Sequence, residues 1–479
     1  MAAPPAPSAL RVVTSGNPYQ VVLKLALPTV FAMLSQSVVN EIDIVFFSHL
    51  PCPESSNAQA ALLPSLIVLW AFGGSLSAVS VGTQALTARR FAEGHADRAG
   101  SVLFNSWTFS AVASVLFTVI GYLRLPAILR ALIQVPDVRE AADGYLRWRL
   151  LGISSMVLTF SFKSFFDGIG KTHVHMWSAI VMNVMNVVFC VAFIFGRFGA
   201  PRMGIAGAGL AGFLSTWIGL GIMIFWAFLP TYRKGFRPFD FGKFEPAITK
   251  DILRLSVPSG VATIAVMSGF ALFAMIVSHL DAMQGTHVVT SGCPGAKAEA
   301  INSAATTVIV GILKLTFTAC LAFGTATATL VSQSLGEGDG AKAARFGWTS
   351  VRLGLAIFGV VGVLEGIVFP EQVLSFMSSS PAVREAALVP MRLMGLTTPL
   401  IAVGMILTQA LFGAGNSVFV MIVELILHFT CLVPLAWLLG ITLGFGLIGI
   451  WSAAAVYAFL LNVVMVIKFR IGDWQKIKI

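Results

Sequence analysis

The sequence predicts an all-α polytopic membrane protein, with about twelve transmembrane helices arranged as two parallel six-helix repeats. Three observations carry that prediction. Of 479 residues, 57% are hydrophobic and only 11% charged, whereas a surface facing water all round needs roughly 25% charged. Apolar runs of about 20 residues, the length that crosses a bilayer as a helix, recur along the chain. The second half also repeats short motifs of the first.

The runs of the first half lie near 21–48, 59–87, 101–123, 146–166, 174–196 and 204–230. Those of the second lie near 252–279, 299–333, 347–369, 388–412, 417–439 and 445–468. Inside lipid the backbone must satisfy its own hydrogen bonds, so such runs form helices. Residues 1–19 read as a disordered tail, because MAAPPAPSAL lacks the apolar core of a cleaved signal peptide. The expected divisions are a lobe at 20–231, a linker at 232–250, a lobe at 251–470 and a tail at 471–479.

The net charge of +10 does not point to nucleic acid, because the basic residues sit in short segments between spans. An even number of spans puts both tails and the linker on one side. That side, with the loops near 88–99, 163–173 and 336–352, holds about twice the Lys and Arg of the other and is expected to be cytoplasmic. Against this runs the segment 124–149, with Arg124, Arg130, Arg139, Arg147 and Arg149 on the expected outside. The expected location is the plasma membrane, the inner membrane of a Gram-negative cell.

LKLALPT at 23–29 matches LRLSVPS at 253–259, pairing Pro28 with Pro258. Gly82 and Glu93-Gly94 pair with Gly324 and Glu337-Gly338; Gly168 and Gly170 pair with Gly413 and Gly415; Gly204 and Gly207 pair with Gly446 and Gly449. Six spans per half make the repeats parallel, and transporters built this way bind between or within repeats that rock against each other. A channel or a receptor scaffold can also arise by duplication.

A charge inside the hydrocarbon costs about 2.5–3.5 kcal/mol even on a lenient scale, so each one needs a reason. Gln36, Asn40 and Asp43 fall on one face of the first span, and Asn183, Asn186 and Cys190 on one face of the fifth. Asp43 is suited to take up and release a proton, although a purely structural polar contact is open to it. The asparagines suit either a cavity or a helix-to-helix bond. Lys314, with Thr307 and Thr318 on its face, is too deep for easy escape to the interface and is expected to face a cavity. Glu424 and His428, four apart in the eleventh span, are able to share a proton or to form a satisfied structural pair. Glu365 has no evident partner, and Glu41 points away from the Asp43 face. Cys190, Cys320 and Cys431 read as packing residues inside spans; Cys52 and Cys293 sit in equivalent external loops, where a disulfide would tie the halves.

The sequence carries no P-loop, no nucleophile elbow and no Cys/His metal spacing, so neither enzyme chemistry nor a cofactor is expected. Without a nucleotide site, transport would run on an ion gradient or passively.

Read in order, these motifs resemble the MATE (multidrug and toxic compound extrusion) transporters over about residues 20–470. LALPTVFAMLSQSVVNEIDIVFF resembles that family's proline-containing first helix ending in an aspartate, here Asp43. VGTQALTARRFAEG and FGTATATLVSQSLGEGD resemble its paired second and eighth helix ends; FFDGIGKTHVHM and ALFGAGNSVFVM resemble its paired G-x-G turns. Residues 204–209 and GLIGIW at 446–451 resemble the openings of its sixth and twelfth helices. The resemblance implies export of cationic, amphipathic compounds in exchange for protons or sodium. It also implies an ion site at Asp43 and Asn186, with Asn40 beside them. Cys190 stands where a second aspartate is expected, and Gly212 where a threonine is. A thiol is a poor ligand for a hard cation, so a proton is the favoured coupling ion and sodium the alternative. Gln36, Tyr145, Asn183, Lys314, Glu424 and His428 are the expected substrate-cavity residues. The chain is expected to work as a monomer in the lipid bilayer on small molecules. A flippase for lipid-linked saccharides, from the same superfamily, is the other reading.

Overall fold

In the computed structural model, residues 12–51, 54–133, 135–239, 244–285, 287–289, 298–378 and 380–479 are described; the side chains of residues 39–41, 44, 56, 63, 287–289, 298 and 299 are not. The first half has spans at Pro18–Ser48, 54–92 (with a π-turn at Trp70–Gly74), Ala96–Leu132, 136–168, Thr172–Phe195 and Ile205–Phe228. The second has Pro246–Gln284, Ile301–Gly336, 340–368, Pro381–Gly413, 417–442 and Gly446–Ile471. A two-stranded antiparallel ribbon, His287–Val289 with Ala298–Ala300, links the seventh and eighth spans.

Eleven of these helices are long and apolar enough to cross a membrane unaided. The fourth span is the exception. It consists of two 16-residue helices, Pro136–Leu151 and Ile153–Gly168, separated by a turn at Gly152. Its repeat partner, the tenth span, is one unbroken helix of 33 residues. The segment 124–149, expected to lie in an external loop, is therefore mostly helical, with one helix ending at Leu132 and the next beginning at Pro136.

The repeat is legible in the turns. Gly170 and Gly415 both take positive φ (74° and 89°), a conformation that costs glycine little. Each turn closes with the same bond, Lys171 N to Phe166 O and Asn416 N to Leu411 O. The glycine two residues earlier lets helices meet: a Cβ at Gly168 would press on the Gln84 carbonyl, and one at Gly413 would run into the Ala328 backbone. The fourth span thus sits tightly on the second, and the tenth on the eighth.

Among the described residues two apolar cores fill the first half and two the second, and a fifth packs Val79, Leu86 and Val102 of the first half against Ile252 and Leu255 of the second. The first span belongs to both halves. Val21, Val22, Leu25 and Ala26 pack into a second-half core, while Phe47 packs into a first-half core. Pro28 lies between these stretches, where its missing N–H weakens the helix. Apolar side chains left exposed, such as Val112, Leu116 and Leu123 of the third span, suit contact with lipid.

The hydrogen bonds that join the halves gather at the end bearing the tails. Gln84 Nε2 donates to Thr325 O (2.9 Å) and Thr329 Oγ1 (2.8 Å). Ser332 donates to Ala85 O and Gln333 to Gly168 O, each at 2.8 Å. The described parts of both tails are held against the body of the protein. Thr14 donates to Glu337 at 2.7 Å, and Trp474 is fully buried, stacked on Phe469. Arg89 of the first half reaches the Ile477 carbonyl at 3.2 Å.

Candidate ion and substrate site

Four spans of the first half build one polar cluster. Asp43 comes from the far end of the first span, where its Oδ1 accepts a weak hydrogen bond from the Cys190 thiol at 3.7 Å. The same thiol lies 3.8 Å from Asn186 Oδ1, one turn back on the fifth span. Asn186 Nδ2 donates to Ser215 Oγ of the sixth span at 3.2 Å. The fourth span contributes Tyr145, which is buried, and Arg149, whose guanidinium carbon lies 5.9 Å from the centre of the Tyr145 ring.

Arg149 is the residue that sequence reasoning misplaced. It was counted among the external loop charges, but it lies inside the cluster, where it and Asp43 attract one another. Gly212 makes the space: a Cβ there would collide with Arg149 Nη1. Arg149 Nε is buried without a hydrogen-bond partner among the described residues. Two signals pointed to it: the four-residue step from Tyr145, which puts both on one helix face, and the bare glycine across from them.

Other expected site residues are distributed differently. Gln36 is half-buried on the first span, and the Asn40 and Glu41 side chains lie outside the described residues. Asn183 is not open to a cavity: it is buried and donates to Ser35 Oγ at 2.9 Å, pinning the fifth span to the first. Lys314 is exposed, and its carbonyl accepts from Thr318, which itself accepts from Ser37 of the first span at 3.3 Å. Glu365 does have a partner, the Thr316 hydroxyl at 3.3 Å.

Glu424 and His428 were expected to line the substrate cavity and are instead sealed within the second half, 7% and 0% exposed. Tyr457 of the twelfth span donates to Glu424 Oε2 at 2.9 Å, a partner not anticipated from the sequence. Cys190, Cys320 and Cys431 are free thiols; Cys52 and Cys293, the candidate disulfide, lie outside the described residues. Among the described residues no three His, Cys, Asp or Glu side chains converge as a metal site.

Comparison with known proteins agrees with this architecture. The family model MatE matches residues 28–192 and 296–438. A "Probable multidrug resistance protein NorM" of Thermotoga maritima is 26% identical over 467 residues, covering 95% of this chain and 92% of that one. A protein of the same description from Caulobacter vibrioides is 27% identical over 464 residues, covering 95% and 91%. Among solved structures, a MOP superfamily transporter from Pyrococcus furiosus superimposes with a TM-score of 0.87 at 20% identity, covering 99% of this chain and 100% of that one. An outward-facing multidrug resistance MATE family transporter superimposes at 0.85, also at 20% identity and with the same coverage. With its paired helix ends, its G-x-G turns and a family match in both halves, this multi-pass membrane protein belongs to the MATE family.

Proposed function

We propose that the chain is a proton-driven antiporter that exports cationic or amphipathic small molecules by alternating access of its two halves. One observation carries the reading: a membrane-embedded carboxylate, Asp43, stands in a cluster whose single fixed cation is Arg149. With Asp43 ionised the two charges cancel, and a cationic substrate meets little repulsion. A proton on Asp43 leaves Arg149 uncompensated, and a bound cation is expelled. Proton uptake and substrate release are thereby coupled with the sign an antiporter requires.

The relatives' description as multidrug resistance proteins supports the substrate class. Concentration of the bonds between the halves at one end supports a state open at the other, with Pro28 of the shared first span as the yielding point. The basic tails and linker assign the closed end to the cytoplasm. Sodium is disfavoured because the cluster offers one carboxylate faced by the Arg149 guanidinium, with the Cys190 thiol, a soft ligand, beside it. One charge crossing 100 mV supplies about 2.3 kcal/mol, and one pH unit about 1.4 kcal/mol.

The test is ethidium transport in proteoliposomes carrying a pH gradient or a sodium gradient, imposed separately. Proton-driven, saturable transport is expected. Sodium-driven transport would overturn the coupling. Movement of lipid-linked saccharides without ethidium would favour the flippase, and non-saturating current would favour a channel.

A further inference from the structure

The second half contains a buried ionisable cluster that the exchange at Asp43 does not use. Glu424 and His428 lie one turn apart on the eleventh span, at the start of a π-turn over Leu427–Leu432; such turns are frequent at functional positions. His428 Nδ1 lies 2.9 Å from the Glu424 carbonyl, which can only accept, so Nδ1 carries the hydrogen. The same nitrogen is 3.4 Å from Glu424 Oε2. His428 Nε2 is then a bare acceptor, buried and without a hydrogen-bond partner among the described residues. Tyr457 holds Glu424 Oε2 from the twelfth span, and its ring lies 4.6 Å from the imidazole. Gly269 of the seventh span leaves room for the ring, since a Cβ there would strike His428 Cδ2.

The surroundings are otherwise uncharged. Residues 255–278 of the seventh span and 393–413 of the tenth hold no ionisable side chain, and residues 446–467 of the twelfth hold only Tyr457. On the eleventh span the neighbouring titratable group is Cys431. A cluster with one carboxylate, one imidazole with an empty acceptor and one positioning hydroxyl is neutral with a proton and anionic without it. Such a pair titrates as a unit rather than as separate residues.

We propose that the Glu424–His428–Tyr457 cluster is a second proton-carrying site, separate from Asp43, which holds one exchangeable proton in the second half. In the transport cycle, and resting there on the antiporter reading, it makes the exchange two protons per substrate. The site itself is testable without transport.

Difference infrared spectra between acid and alkaline pH would be recorded on purified Asp43→Asn protein, where the carboxyl of the first-half cluster is gone. A carboxyl-stretch band is expected that disappears on adding Glu424→Gln and whose pH midpoint moves on adding His428→Gln or Tyr457→Phe. Spectra that are the same with and without Glu424→Gln overturn the site, as does a midpoint that neither partner moves. Should Glu424→Gln fail to fold, the Tyr457→Phe midpoint decides alone, because that change keeps the ring. In vesicles with one unit of pH gradient and the potential clamped, Glu424→Gln is expected to lower the ethidium accumulation ratio about tenfold while leaving it proton-driven. An unchanged ratio overturns the two-proton cycle. Sodium-driven transport would defeat the antiporter reading yet leave the infrared result standing.

Discussion

The two halves place their charges on different helices of one plan. In the first half the site draws on the first and fourth spans, as Asp43 and Arg149, while a separate buried ion pair, Lys163–Asp167, lies farther along the fourth. At the offsets set by the paired motifs, the counterparts of Asp43 and Arg149 in the second half are Phe273 and Met394, both buried and apolar. The second half instead sets two buried ionisable groups, Glu424 and His428, one turn apart on the eleventh span. There His428 occupies the position equivalent to Asn183, and Tyr457 that equivalent to Ser215. Asn183 pins two helices through its amide N–H and leaves Oδ1 unpartnered among the described residues, and His428 likewise leaves Nε2 unpartnered, so both positions hold a vacant acceptor and only His428 adds a titratable ring. Duplication kept the turns and the glycine contacts, and the polar positions diverged inside them. A charge pair across spans that move makes the first half responsive; a cluster sealed behind Gly269 makes the second half a store.

The sharpest way to break that contrast is Asp43→Asn, which is expected to reduce proton-driven ethidium efflux to the leak rate while Glu424→Gln keeps a measurable flux. Equal losses in both variants would erase the distinction. Next in size is Arg149→Leu, which leaves the half-buried Asp43 without the cation that faces it. A loss of about 0.5–3 kcal/mol is expected, and thermal unfolding in detergent should show it. The double variant Asp43→Asn/Arg149→Leu should recover much of it. Gly212→Ala follows: its methyl group must displace the guanidinium, at about 1–3 kcal/mol. Ethidium affinity should weaken, whereas Ala454→Gly, at the equivalent place in the second half, should leave it unaltered. Smallest is Gln84→Leu, which removes two bonds at the closed end, each worth about 0.5–1.5 kcal/mol. Labelling of a cysteine placed at Ala85 should rise as that end opens more often.

Much of the fold was legible because lipid imposes long apolar runs and because paired glycines mark the turns at which helices must meet. The fourth span was the weakest signal, and its break at Gly152 has no counterpart in the unbroken tenth. The same misreading hid Arg149, since a span begun at 146 leaves that residue looking like an interfacial charge. Asp43, Asn186, Cys190 and Tyr145 could be gathered from helical spacing and resemblance, because each lies one or two turns from a recognisable neighbour. Tyr457 could not, because its role depends on which face of the twelfth span meets the eleventh. Burial was equally out of reach: spacing put Glu424 and His428 on one face but did not say that Gly269 closes over it. The described parts of the tails depend on the long-range contacts of Thr14 with Glu337 and of Arg89 with Ile477, which no local pattern announces.

The central claim is that a proton and a cationic substrate exchange at Asp43 in the field of Arg149. Proton release on ethidium binding, followed with a pH indicator in weakly buffered detergent solution, tests it most directly. Wild-type protein should release about one proton per ethidium bound at a pH where Asp43 is protonated, and Asp43→Asn should release none. Equal release from both proteins, or none from the wild type while ethidium still binds, would contradict the account.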